Sequence, residues 1–171
     1  MTQALVNDAK LEKVSFLIGD WRGTGVLDYP GPPVKRSNYE ILAMCKRSPD
    51  RNQLLLVTFN DDPDKHTMFH ATQAFLFVDR DSGQLRTKRH WLMESDTEGF
   101  VTIEKLEQSE NANRLGFTVI DRQGVPDSFQ HDGTIENLNE SEVIITGEVK
   151  VQGKKYPYVD KYTRRDKPKS K

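Results

Sequence analysis

The chain has 171 residues, of which 35% are hydrophobic and 30% charged, and its formal net charge is −1. This length fits one domain, and the near balance of charges excludes a broad basic surface of the kind that attracts nucleic acid or anionic membranes. We expect a single domain over residues 1–165, a flexible basic tail over residues 166–171, and no nucleic-acid partner.

The cysteine content and the lack of long apolar runs indicate in which cellular compartment the protein is expected. Cys45 is the only cysteine, so an internal disulfide is excluded and a reducing environment is favoured. No apolar run is long enough for a signal peptide or for a helix that inserts into a membrane. The sequence therefore predicts a cytoplasmic protein, and it leaves open whether the chain forms a homodimer.

One helix is predicted near the start of the chain, over residues 7–18. Asn7 or Asp8 can cap it by accepting a hydrogen bond from an N–H of the first turn. Gly19 favours its end. The apolar stripe at helical spacing consists of Leu11, Val14, Leu17 and Ile18.

After Gly19 the sequence alternates with a period of two, and turn residues divide it into ten candidate strands. These cover residues 21–29, 36–45, 53–60, 66–78, 84–94, 98–108, 113–121, 127–137, 142–151 and 155–165. Even spacing and short turns are typical of a single antiparallel up-and-down β-barrel with a short N-terminal helix. A sandwich is the competing fold, but it usually needs longer crossover connections.

The first strand indicates what the barrel interior holds. Alternation puts Trp21, Gly23, Gly25, Leu27 and Tyr29 on one face, and the opposite face is more polar. The tryptophan and the glycines are therefore expected to point inward. Two inward glycines either bend the strand at a barrel corner or leave room for a ligand against the backbone.

Histidine and arginine in the middle of the chain are candidates for polar groups inside the barrel. His66 and His70 share a strand face but stand too far apart to hold one metal ion, so no metal site is predicted. Arg89 shares an apolar face with Trp91, and a buried cation needs a partner. Glu40, Asp160 or a ligand carboxylate could supply it.

His131 is predicted to point inward, because it shares a face with Phe129, Gly133 and Ile135. It is either a hydrogen-bonded core residue or a group that binds a ligand or haem iron. The neighbouring Asp132 points the opposite way, so the two do not form an acid–base pair.

The last strand is expected to pair with the first if the barrel closes. One of its faces carries Tyr156, Tyr158, Asp160, Tyr162 and Arg164. Arg164 or Arg165 could then lie over the Trp21 ring and donate hydrogen bonds to the end of the helix. We favour this structural role over a ligand-binding role. The inward tyrosines would bring hydroxyl groups into an apolar cavity.

Three of these features resemble the calycin superfamily: Gly19-x-Trp21 at the start of the first strand, the short helix before it, and Arg164 near the end of the last strand. That superfamily contains the lipocalins and the fatty-acid-binding proteins. The resemblance implies a barrel that binds small hydrophobic molecules.

Within the superfamily the chain is most similar to nitrobindin, a ten-stranded haem-binding barrel. The similar segments are Gly19-x-Trp21-x-Gly23-x-Gly25-x-Leu27-x-Tyr29-Pro30 and Pro157-Tyr158-Val159-Asp160-Lys161-Tyr162-Thr163-Arg164. Leu27 stands where that pattern has a third glycine, and Tyr158 stands where the family has the histidine that ligates haem iron. The alternative function that this resemblance implies is a haem protein acting on nitric oxide or peroxynitrite, with Tyr158 or His131 on the iron.

The leading hypothesis is a non-enzymatic carrier or sensor for a small lipophilic ligand, with no cofactor required. No serine–histidine–aspartate arrangement or convincing carboxylate pair indicates catalysis. The predicted ligand-binding residues are Trp21, Gly23, Gly25, Tyr29, Arg89, Trp91, His131, Tyr158, Tyr162 and Arg164.

Two properties of the cavity wall follow from the predicted inward faces. The apolar part is expected to include Leu55, Val57, Phe75, Trp91 and Phe117. The polar groups are mainly donors, so an acidic head on the ligand is expected to meet an arginine. If acidic side chains already neutralise the arginines, the cavity is neutral instead.

Overall fold

Ten antiparallel strands close into a barrel in the computed structural model, which describes residues 9–29, 33, 35–49, 52–64, 67–93, 96–111 and 113–165. The strands are β1 (Gly19–Tyr29), β2 (Lys35–Arg47), β3 (Gln53–Asp62), β4 (Thr67–Val78), β5 (Leu85–Met93), β6 (Asp96–Gln108), β7 (Arg114–Gln123), β8 (Gln130–Asn139), β9 (Glu142–Val151) and β10 (Lys154–Arg164). Each strand pairs with its neighbours in the chain, and β1 closes the barrel against β10. This confirms the predicted up-and-down barrel.

The N-terminal helix is shorter and less regular than predicted. Residues 9–12 form a turn of α-helix and Ser15–Leu17 form a 3₁₀ turn, while Asn7 and Asp8 lie outside the described residues. The predicted apolar stripe is still buried at Leu11, Val14 and Leu17. Among the described residues, no helix has the length and apolarity needed to cross a membrane.

The barrel interior is divided between a packed end and a hollow end. The end where β1 begins is filled by the apolar residues of the helical segment together with Trp21, Cys45, Leu54 and Leu76. Gly19 joins that segment to β1 with φ of +147°, which favours glycine. A β-carbon there would also overlap the guanidinium of Arg164. The hollow end lies where β1 ends.

The inward faces of β3 and β4 differ from the prediction. Leu54 and Thr58 of β3 and Leu76 of β4 are buried, so the alternate residues Leu55, Val57 and Phe75 point away from the interior. The prediction that those three line the cavity is wrong. All lie in stretches where consecutive residues are apolar, and such a run carries no period from which to assign a face. A shift of one residue turns every side chain to the other side of the sheet.

Candidate functional site

A cavity of about 470 Å³ occupies the hollow end of the barrel. Among the predicted ligand-binding residues, its wall contains Tyr29, Arg89, Trp91, His131, Tyr158 and Tyr162. The wall also contains Leu27, Tyr39, Leu56, Thr58, Asn60, His70, Thr72, Phe100, Phe117, Phe129, Ile135, Ile145, Tyr156 and Asp160. Trp21, Gly23, Gly25 and Arg164 are not part of this wall.

Trp21 and Arg164 instead tie the two ends of the barrel sheet to the helical segment. The guanidinium carbon of Arg164 lies 4.3 Å from the centre of the Trp21 ring. The Nη1 and Nη2 groups of Arg164 donate to the carbonyl oxygens of Ile18 and Phe16, at 2.6 and 3.0 Å. The indole N–H of Trp21 donates to the carbonyl of Leu17 at 2.8 Å. The predicted cation–π contact and helix-end hydrogen bonds are therefore confirmed, and Arg164 is the arginine that makes them.

Side chains and main chain of the protein itself fill the space beside the glycines of β1. A β-carbon at Gly25 would overlap the ring of Tyr39 and a carboxylate oxygen of Asp160. A β-carbon at Gly23 would overlap the main-chain oxygen of Lys161. Gly25 lies between Tyr39 and Asp160 in the sheet, so it allows these two side chains to meet across it. Gly23 and Gly25 therefore do not leave room for a ligand, which was one of the two roles predicted for them.

Arg89 forms a buried ion pair, but with a different acid from those predicted. Its Nε and Nη2 groups donate to the two carboxylate oxygens of Glu104 at 3.1 and 3.2 Å. Glu104 is only 1% exposed, whereas Glu40 faces outward and Asp160 makes no ion pair with Arg89 within the described residues. Thr87 is the direct partner of Glu104 across β5 and β6, so Arg89 reaches the carboxylate diagonally.

A hydrogen-bonded chain extends from this ion pair across the wall. Glu104 lies 3.1 Å from Nδ1 of His131, whose Nε2 lies 2.6 Å from the hydroxyl of Tyr158. Burial opposes ionisation of Glu104, but the charge of Arg89 and the hydrogen bond to His131 outweigh it and lower the pKa to about 2. The ionised carboxylate can only accept, so Nδ1 donates to it. In a neutral ring, Nε2 then accepts from the hydroxyl of Tyr158.

A second polar cluster surrounds Asp160. The hydroxyl of Tyr39 donates to one carboxylate oxygen, and that of Tyr162 donates to the other at 3.3 Å. Asp160 is 6% exposed, and no Lys, Arg or His of the described residues lies within ion-pair distance of it. Burial raises the pKa of its carboxyl to about 6, and the two tyrosine hydrogen bonds together with the more distant charge of Arg89 only partly offset this effect.

The wall formed by β3 and β4 adds two polar pairs. The hydroxyls of Thr58 and Thr72 lie 2.7 Å apart. The amide nitrogen of Asn60 donates to Nε2 of His70 at 2.8 Å. Burial, followed by the charge of Arg89, lowers the pKa of His70 to about 4, so its ring is neutral near pH 7. His66 lies outside the described residues, and no group of three metal-binding side chains occurs among the described ones.

Sequence reasoning missed Tyr39 and Asn60 as cavity groups and Glu104 as the partner of Arg89, and it considered His70 only as a metal ligand. Alternation could have found Glu104, because it shares an inward face with the buried Thr102 and Leu106. The same argument places Tyr39 with Ile41 on β2. No sequence pattern indicates that Asn60 and His70 meet, because their pairing depends on the register between β3 and β4.

Tyr158 and His131, which the resemblance to nitrobindin suggests as haem ligands, are hydrogen-bonded to each other. Burial raises the pKa of the Tyr158 hydroxyl well above its usual range, which disfavours the phenolate that would bind iron. Its hydroxyl also lies against Nε2, the nitrogen that His131 would offer to iron. These residues therefore do not form a prepared axial site for haem.

Comparison with known proteins shows likeness of fold. No family model matches the chain, and no curated protein matches it. The crystal structure of Rv2717c from M. tuberculosis is similar, with a TM-score of 0.65 and 13% identity over 92% of this chain and 98% of that one. The S-type phycobiliprotein lyase CPES from Guillardia theta is similar with a TM-score of 0.67 and 8% identity, over 98% of this chain and 99% of that one. Both likenesses extend over nearly the whole of this chain, and at these low identities they show a shared fold alone.

Proposed function

We propose that this protein binds a small lipophilic molecule in the cavity of its barrel and acts as a carrier or a sensor. The observation that carries the proposal is the cavity of about 470 Å³, which lies within the size range of small-molecule sites. Its wall combines aromatic and aliphatic side chains with a few buried polar groups, which is the usual composition of such sites.

The structure gives little support to the acidic head group expected from the sequence. That expectation required arginines that lack a protein partner. Arg89 is paired with Glu104, and Arg164 donates to main-chain carbonyls at the packed end, away from the cavity wall. Within the described parts of the chain, the cavity wall therefore offers no arginine without an acidic partner, and we propose a ligand with an apolar body and no acidic head.

Haem binding is the outcome that would replace this proposal. It would require the hydrogen bond between Tyr158 and His131 to break, since each blocks the other as an iron ligand. Adding hemin to the purified protein and recording the haem absorption band in wild type and in a Tyr158→Phe variant tests this. A tight complex with hemin whose absorption spectrum changes in the variant would favour haem binding over the binding of a lipophilic ligand.

The direct test is a fluorescence titration with N-phenyl-1-naphthylamine, a neutral dye that brightens in apolar surroundings. Leu56 lines the cavity, so Leu56→Trp should fill part of it and weaken dye binding by at least about tenfold. Leu55→Trp makes the same change at the adjacent, outward position and should leave binding unchanged. Thermal melting checks that both variants fold.

Two results would contradict the proposal. One is a wild-type protein that does not bind the dye. The other is an equal loss of binding in both variants, which would place the dye outside the barrel.

A further inference from the structure

Asp160 is a buried carboxylate that lacks a positively charged partner among the described residues. Two tyrosine hydroxyls hydrogen-bond to it, yet each of its oxygens keeps capacity to accept another donor. Arg89 is an arginine of the same wall, but its side chain hydrogen-bonds to Glu104, and its charge acts on Asp160 only from beyond ion-pair distance. A charge buried in this way is costly unless a further group pairs with it.

Asn60 presents a second acceptor on the same wall. Its side chain is 3% exposed, and its amide nitrogen is used by His70. Its Oδ1 atom has no hydrogen-bond partner within the described part of the chain. A buried acceptor without a donor costs free energy, so a donor from a bound molecule would remove this penalty.

Tyr39 links the two acceptors. Its hydroxyl donates to Asp160, and its ring lies 6.3 Å from the ring of His70, which is bonded to Asn60. All four side chains line the cavity. The acceptors therefore belong to one continuous part of the wall, which we call the acceptor wall: Tyr39, Asn60, His70 and Asp160.

The charge of the cavity favours a cation. Arg89 and Glu104 neutralise each other, and the ring of His70 is neutral near pH 7 because burial lowers its pKa to about 4. Asp160 is then the remaining charged group of the acceptor wall. Since the interior is poorly screened by solvent, its charge attracts a positive group more strongly than it would in water.

We propose that the ligand is a lipophilic amine whose positively charged nitrogen pairs with Asp160, on the wall where Asn60 offers a further acceptor. This inference rests on the proposed function, because it assigns the polar part of the same ligand. The apolar body of the amine lies against the aromatic side chains around Trp91 and Phe129.

The experiment compares three probes that share a decyl chain: decylamine, decanol and decanoic acid. Each is titrated at pH 7.5 against the protein saturated with N-phenyl-1-naphthylamine, and displacement of the dye is measured. We expect decylamine to bind at least about tenfold more tightly than decanol, and decanoic acid to bind most weakly.

Asp160→Asn removes the charge while keeping the shape of the side chain. In this variant the affinity of decylamine relative to decanol should fall by about tenfold, so that decylamine loses its advantage. Asp132→Asn makes the same change on the outer, exposed face of β8 and should alter none of the affinities.

The outcomes separate this inference from the proposed function. If the dye binds but decanoic acid or decanol displaces it as well as decylamine does, the amine assignment is wrong and the cavity function stands. Dye that none of the three probes displaces also overturns the assignment. If wild type binds neither the dye nor any probe, the proposed function itself fails. Should Asp160→Asn not fold, the ranking of the three probes on wild type still decides the matter.

Discussion

The hydroxyl of Tyr158 lies 2.6 Å from Nε2 of His131, and the two rings are inclined by only 23°. The residues belong to β10 and β8, so the hydrogen bond crosses the intervening strand β9. Gly147 is the residue of β9 that pairs with Tyr158. A β-carbon there would lie 2.6 Å from the tyrosine oxygen and 2.7 Å from the ring carbon that bears it. The contact between Tyr158 and His131 thus depends on a glycine between them.

Replacing that glycine should break the contact. Gly147→Ala is expected to lower the free energy of unfolding by about 1–3 kcal/mol, because the new methyl group displaces the partly buried ring of Tyr158. Gly116→Ala is the matched control, since its β-carbon would meet no atom closer than 3.8 Å. The control should change stability by no more than about 0.5 kcal/mol. Urea unfolding of the three proteins measures both values, and equal values for the two variants would contradict the role assigned to Gly147.

The ion pair between Arg89 and Glu104 should be costly to break from one side. Arg89→Met leaves a buried carboxylate without its cation, and we expect a loss of about 3–5 kcal/mol at pH 7. Adding Glu104→Gln should recover part of that loss, because the uncompensated charge is then gone. A double-mutant cycle based on urea unfolding gives the coupling between the two residues. Losses that simply add would show that the pair contributes no specific interaction.

The free energy of unfolding should depend on pH partly because Asp160 gains or loses its proton. The pKa of this carboxyl is about 6 in the folded chain and about 3.8 when unfolded, so the folded chain binds the proton more tightly. Ionisation therefore destabilises the fold above pH 6, and this penalty disappears as the pH falls toward 4. Relative to Asp160→Asn, wild type should gain about 2–3 kcal/mol between pH 7 and pH 4.

The difference in stability between wild type and Asp160→Asn reports on Asp160 alone, because the other groups titrate in both proteins. His70, for example, has a folded pKa of about 4, below the ordinary 6.5, so its protonation destabilises the fold as the pH falls through this range. Urea unfolding at several pH values gives the two curves. Parallel curves for wild type and variant would mean that Asp160 has the same pKa in the folded and unfolded chain.

The sequence by itself determined the barrel, its closure and the contact that seals its packed end. Strand alternation and turn residues are local properties, so ten strands could be placed from single segments, and the inward face of β1 followed from a clear period. The stacking of an arginine from the end of the last strand on Trp21 was also predictable, because closure of the barrel brings the two ends of the sheet together. The choice between Arg164 and Arg165 came from the structure.

Only the tertiary structure decided which polar groups meet inside the barrel. The partner of Arg89 is Glu104 rather than Glu40 or Asp160, and the space at Gly25 belongs to Tyr39 and Asp160. Arg89 and Glu104 lie on consecutive strands and meet because of the register between those strands. Tyr39 and Asp160 lie far apart in sequence, so their contact depends on the register of two strand pairings and on the closure of the barrel. Side-chain periodicity fixes a face but carries no information on register, since a shift by two residues preserves the same inward set.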